Sequence, residues 1–192
     1  MYSQRMTAGM LDSSSDRVNS FSGWVIFAGI TSLVLGTAAV IYSSTATIAS
    51  VIVFGWLLLL AGFMEIVHAF QVRSWSGFFL YLLDGIVRAT VGTLMLVYPG
   101  SGAQALTLVL SFYFIVAGIF RTVGSISLQF PSWGWSVASG LLSVALGTML
   151  ALHWPASGQW FIGLAVGIDL IMYGWALLMF ALAVRKLTPS YA

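Results

Sequence analysis

Six apolar stretches run through this chain, at approximately 23–42, 48–70, 77–98, 103–127, 134–154 and 159–184, each long enough to cross a bilayer. A hydrocarbon core of ~30 Å takes about 20 residues of helix. Lipid offers backbone N–H and C=O groups no partners, so each span must bond within itself, and the alternating pattern of a membrane barrel is missing. The expected fold is therefore all-α: a polytopic membrane protein with six transmembrane helices. Composition agrees, since 6% of the residues are charged against roughly 25% in a soluble domain. The lipid bilayer is the expected partner. With seven Lys and Arg, no basic run and a net charge of +2, nothing here is built for nucleic acid.

Residues 1–22 are polar and serine-rich, with Asp12-Ser13-Ser14-Ser15-Asp16-Arg17 at their centre, and read as a disordered tail. They are not a signal peptide, because the first apolar stretch is of full span length and has no small-residue cleavage site. Residues 23–186 form the transmembrane domain, and 187–192 the C-terminal end. Arg5, Arg17, Arg73, Arg185 and Lys186 all fall on one side, whereas 43–47, 99–102 and 155–158 carry no Lys or Arg. The positive-inside tendency then puts both termini in the cytoplasm. Trp24, Trp75, Trp133 and Trp135 mark the cytoplasmic interface, and Tyr42, Tyr98 and Trp154 end spans on the outside.

Within the spans, small residues recur with a period of about 56. Odd spans hold Gly29/Gly36, Gly85/Gly92 and Gly140/Gly147; even spans hold Gly55/Gly62, Ser111/Gly118 and Gly167/Gly174. Eleven of these twelve positions are Gly, where a chain with 20 Gly in 192 residues would supply about one by chance. The architecture expected is three tandem two-helix hairpins, 22–73, 75–130 and 133–186. An even number of spans per repeat makes them parallel repeats. Residues seven apart share a helical face, so these glycines are expected to let neighbouring backbones approach closely.

Ser22-Gly23-Trp24, Leu83-Asp84-Gly85-Ile86, Val97-Tyr98-Pro99-Gly100, Ala117-Gly118-Ile119-Phe120-Arg121 and Trp154-Pro155 recur in this register. As a triplicated set they resemble the HdeD-type acid-resistance membrane proteins over about residues 22–186, with Ser43 standing where the pattern expects proline. The resemblance implies a six-span protein of the bacterial inner membrane with a part in surviving acid, a stress response, and it lends no catalytic motif.

Ionisable groups inside the spans are costly, about 2.5–3.5 kcal/mol each at a helix centre, and so mark sites. Glu65 and Arg121 lie roughly 8 Å inside the cytoplasmic ends of their spans, Asp84 about 10 Å and Arg88 about 16 Å. Asp84 and Arg88, four apart with the acid first, suit an ion pair. Glu65 and Arg121 occupy equivalent repeat positions, so the four are expected to cluster with zero net charge, as a lock between hairpins or as a polar vestibule sensitive to protonation. Asp169 lies beyond the midplane with no basic residue within a turn, and is expected either to hydrogen-bond a hydroxyl such as Tyr173 or to relay protons. His68 and His153 fall in opposite leaflets and cannot share a metal.

No catalytic, phosphate-binding or dinucleotide motif is present, no cysteine is available as nucleophile, and the loops are too short for an aqueous catalytic domain. A protein that is not an enzyme, without cofactor or metal, is expected. The alternative is a small proton-coupled transporter or channel using Asp169 and the Asp84/Arg88 pair. A homo-oligomer or a membrane-protein partner is compatible with either.

Overall fold

A computed structural model describes residues 23–72, 74–128 and 131–187, with side chains described as far as residue 183. The tail, Arg73 and the side chains of Arg185 and Lys186, on which the expected orientation rests, lie outside what is described. The described chain is helical: α1 (23–41), α2 (Ser43–Ala69), α3 (Trp75–Val97), α4 (Pro99–Leu128), α5 (Trp133–Leu152), a short 3-10 turn at Ala156–Gln159, and α6 (Phe161–Leu187). All six helices are long and apolar enough to cross a membrane. Their outer surface inverts that of a soluble protein, with Phe63, Leu80, Phe120, Leu142 and Met172 exposed and glycines buried.

Two of the expected outer loops are helix. Residues 43–47 form the first turn of α2, and Pro99 opens α4, so Tyr42 and Tyr98 alone stand between successive helices. Proline suits a first helical position because the N–H it lacks would have no intrahelical acceptor there. The third of these connections, between α5 and α6, is longer, holding the 3-10 turn and a cis Trp154–Pro155 bond. Hydroxyls on exposed helix faces are satisfied by the carbonyl four residues back: Thr37 to Leu33, Thr90 to Ile86, Thr93 to Ala89 and Thr148 to Val144, at 2.7–2.8 Å. In hydrocarbon this local bond spares each hydroxyl from going unpaired.

The chain divides into two compact units, one of α1 with α6 from residue 165 on, the other of residues 42–164. In the larger unit α2 packs along α3, and α4 along α5, whereas α3 and α4 touch only slightly. Glycines make these contacts. A Cβ added at Gly62 would lie 2.5 Å from the Ala89 nitrogen and 2.7 Å from the Gly85 oxygen, and one at Gly92 would lie 2.7 Å from the Gly55 oxygen. Between α4 and α5 the same antiparallel match sets Gly118 on Gly140, and Gly147 on the buried Ser111. In the smaller unit Gly36 meets Gly167, and Gly29 meets Gly174. The glycines do bring backbones into contact. Every glycine seam joins an even helix to an odd helix of a different hairpin.

At the expected outer end of the larger unit, Thr47 crosses to the start of α6. Its hydroxyl accepts the Gly163 N–H at 2.8 Å and donates to the Ser43 carbonyl at 2.8 Å. Gly163 is the third residue of α6, so this N–H has no intrahelical acceptor. No side chain larger than hydrogen fits there, since a Cβ would run into the Ser43 carbonyl. Val51, Thr107 and Gly163, each 56 apart, are all buried around this end.

Candidate functional site

Three of the ionisable residues meet where α2 lies along α3. Gly62 on Gly85 brings the two backbones close, and the residues flanking that contact, Glu65 on α2 with Asp84 and Arg88 on α3, project to one side of it. The Arg88 guanidinium reaches both acids: Nε stands 3.1 Å from Glu65 Oε2 and donates to Asp84 Oδ2 at 2.8 Å, while a terminal nitrogen lies 2.8 Å from that same Asp84 oxygen. The Glu65 side chain is 20% exposed, and those of Asp84 and Arg88 are about half exposed, at 46% and 45%. One turn further toward the expected cytoplasmic end, His68 and Tyr81 meet edge to face with ring centres 5.3 Å apart. Beyond them Phe70, Trp75, Phe78 and Phe79 form an aromatic group.

Arg121 is not part of this cluster, contrary to expectation. It is exposed and makes no ion pair among the described residues. The reason is the pairing of helices. Glu65 finds its partner on α3, the helix across its glycine seam. Arg121 holds the same register on α4, whose seam partner α5 carries Ser139 and Ser143 where α3 carries Asp84 and Arg88. Those serines bond along their own helix, to the carbonyls of Ser136 and Ser139. Two carboxylates therefore share one guanidinium, and the cluster carries a formal charge of −1 where zero was expected.

Asp169 also departs from expectation. It is exposed, and no hydrogen bond joins it to Tyr173 or to any other described residue. It lies two residues from Gly167, roughly 200° around the helix from the seam with α1. His68 and His153 sit at opposite ends of the larger unit, the latter with Nδ1 2.9 Å from the Met149 carbonyl.

Sequence reasoning missed the Thr47–Gly163 bond and Thr107, whose fully buried hydroxyl has no partner among the described residues. Both stand beside residues 56 apart, and that register is the signal that could have found them. A groove of about 430 Å³ between α3 and α4, walled by Val91, Met95, Gly102 and Leu106, is apolar apart from Tyr98 and Ser101 and offers no chemistry.

Chemically, the cluster sets two carboxylates on one guanidinium. It has no nucleophile beside a base.

Residues 27–97 and again 83–152 match a family described as a short repeat of unknown function (DUF308), and the chain belongs to that family. HdeD-type proteins are members of it. The two matches begin 56 residues apart and end 55 apart, the spacing of the glycine pairs in α1, α3 and α5. No curated protein and no solved structure matches the chain.

Proposed function

We propose that this DUF308 protein is a non-catalytic, multi-pass protein of the bacterial inner membrane, with both termini cytoplasmic, that helps the cell withstand acid. Three parallel repeats of two spans each are part of this reading. The observation that carries it is the Glu65–Arg88–Asp84 cluster, with its surplus negative charge inside a membrane span. An unbalanced charge within a span is costly, and this one falls on the seam that joins α2 to α3. His68 and Tyr81, edge to face one turn nearer the expected cytoplasmic end, stand along the same flank of α2 and α3. The resemblance to HdeD-type proteins supports the same physiological role. The protein then answers a falling cytoplasmic pH at this cluster by a change in how α2 and α3 hold together, limiting acid damage or assisting partners in the membrane.

The test is survival of a deletion strain at low external pH. The strain is expected to die faster than its parent, and to be rescued by the wild-type gene but not by the Glu65→Gln/Asp84→Asn double variant at equal expression. Equal survival of deletion and parent, or full rescue by the double variant, refutes the reading. Purified protein in acid-loaded liposomes checks the other candidate: proton flux abolished by Asp169→Asn would make this a transporter instead.

A further inference from the structure

A groove separates α3 from α4 because each packs on another partner, α3 on α2 and α4 on α5, although a single residue, Tyr98, joins them. Both walls belong to the larger unit. Val91 and Met95 form the wall on α3. On α4 the wall is set back by Gly102 and Ala105, and the hydroxyls of Tyr98 and Ser101 stand at the end where the two helices meet. From Val91 to Tyr98 is about 10 Å along α3, against ~15 Å for half of a hydrocarbon core. The groove therefore runs from the interface most of the way into one leaflet.

Polarity and width limit what fills it. A buried water needs roughly two to four polar partners, and Val91, Met95 and Ala105 offer none. Spread over that length, about 430 Å³ makes a channel roughly 7 Å across, too narrow for a helix of about 10–12 Å with its side chains. Left empty, its walls forfeit their dispersion contacts. The connection onward from α5 sits elsewhere: Gly158 lies on Gln104, and the Trp154 indole donates to the Gln104 carbonyl at 3.2 Å, about 100° around α4 from Ala105.

We infer that the groove holds one acyl chain of a phospholipid from the leaflet in which Tyr98 lies, with Tyr98 and Ser101 donating to its ester carbonyls. A methylene chain meets both limits, and the polarity runs the right way, hydroxyls at the interface and apolar walls beneath. Residues 43–47, 99–102 and 155–158 carry no Lys or Arg, so a free fatty acid would find no counter-charge here for its carboxylate, whereas an ester needs none. A net-neutral headgroup suits the same lack of cations. The site stands apart from the Glu65–Arg88–Asp84 cluster and from any part in surviving acid.

Protein extracted from membranes in mild detergent and washed is expected to keep one phospholipid per chain, counted as phosphorus and identified by mass spectrometry. Ala105→Phe and Val91→Trp, which fill the groove from opposite walls, are expected to lower retention by about fivefold or more with unchanged helical circular dichroism. Val97→Trp, exposed on α3 outside the groove, is expected to retain as much as wild type. The Tyr98→Phe/Ser101→Ala double variant keeps the apolar walls and is expected to lose about two- to threefold. Wild type that keeps no phosphorus, or keeps only fatty acid or detergent, overturns the inference. So does undiminished retention by both filling variants, or an equal loss in Val97→Trp, which marks the lipid as bulk annulus.

Discussion

Replacing Gly62 and Gly124 by alanine should move stability in opposite directions, although both lie within apolar helices. Alanine is a better helix former than glycine by roughly 0.8–1.0 kcal/mol. At Gly124 on α4 nothing lies within 4 Å of where the Cβ would stand, so that gain is kept in full. At Gly62 the new carbon would lie 2.5 Å from the Ala89 nitrogen and 2.7 Å from the Gly85 oxygen. Both are backbone atoms, which no rotamer change can move aside. The seam must open by most of an ångström, and overpacking of this kind costs about 1–3 kcal/mol. Set against the propensity gain, the net loss for Gly62→Ala is up to about 2 kcal/mol. Gly55→Ala falls between, because its nearest neighbour is the flexible end of Leu96 at 3.1 Å. Unfolding in mixed micelles, followed by tryptophan fluorescence, should rank the variants Gly124→Ala, wild type and Gly55→Ala close together, then Gly62→Ala. If Gly62→Ala proves as stable as Gly124→Ala, close backbone approach is not what holds α2 to α3, and the account of the seams fails.

Other expectations follow from the same contacts. Thr47→Val removes the acceptor of a buried N–H and should cost about 0.6–1.7 kcal/mol, with faster amide exchange at Gly163 that Thr47→Ser largely restores. Arg88→Leu leaves two acids without a counter-charge and should lower stability and yield more than Arg121→Leu, which breaks no ion pair; adding Glu65→Leu to Arg88→Leu should recover part of the loss in the same unfolding assay. Ser132, just before α5, holds a left-handed backbone with φ of 72°, so Ser132→Gly should raise the unfolding midpoint by the equivalent of about 1 kcal/mol.

Much of this was legible from the residues. Apolar run length gave six helices, and glycines seven apart gave the close seams. The spacing of Asp84 and Arg88 gave their ion pair, and the shared register of Glu65 pointed to the same cluster. What stayed hidden was which helix meets which. A repeat says that Glu65 and Arg121 are equivalent, but equivalent positions need not touch, and each is answered by the odd helix across its own seam. That is why Glu65 has Arg88 and Arg121 has no acid. The turns were misjudged because Ser43 and Pro99 resemble loop residues, yet each opens a helix directly after a tyrosine. Tyr173 lies one turn from Asp169, and sequence spacing could not tell that neither side chain would turn toward the other.

Pairing Gly29 and Gly36 with residues of α6 has a consequence for how the protein is made. α1 finds its glycine partner in α6, five helices later in the chain, so it waits in the bilayer with a bare small-residue face until α6 is made. A chain interrupted before α6 keeps that face open, with Gly29 and Gly36 unmatched.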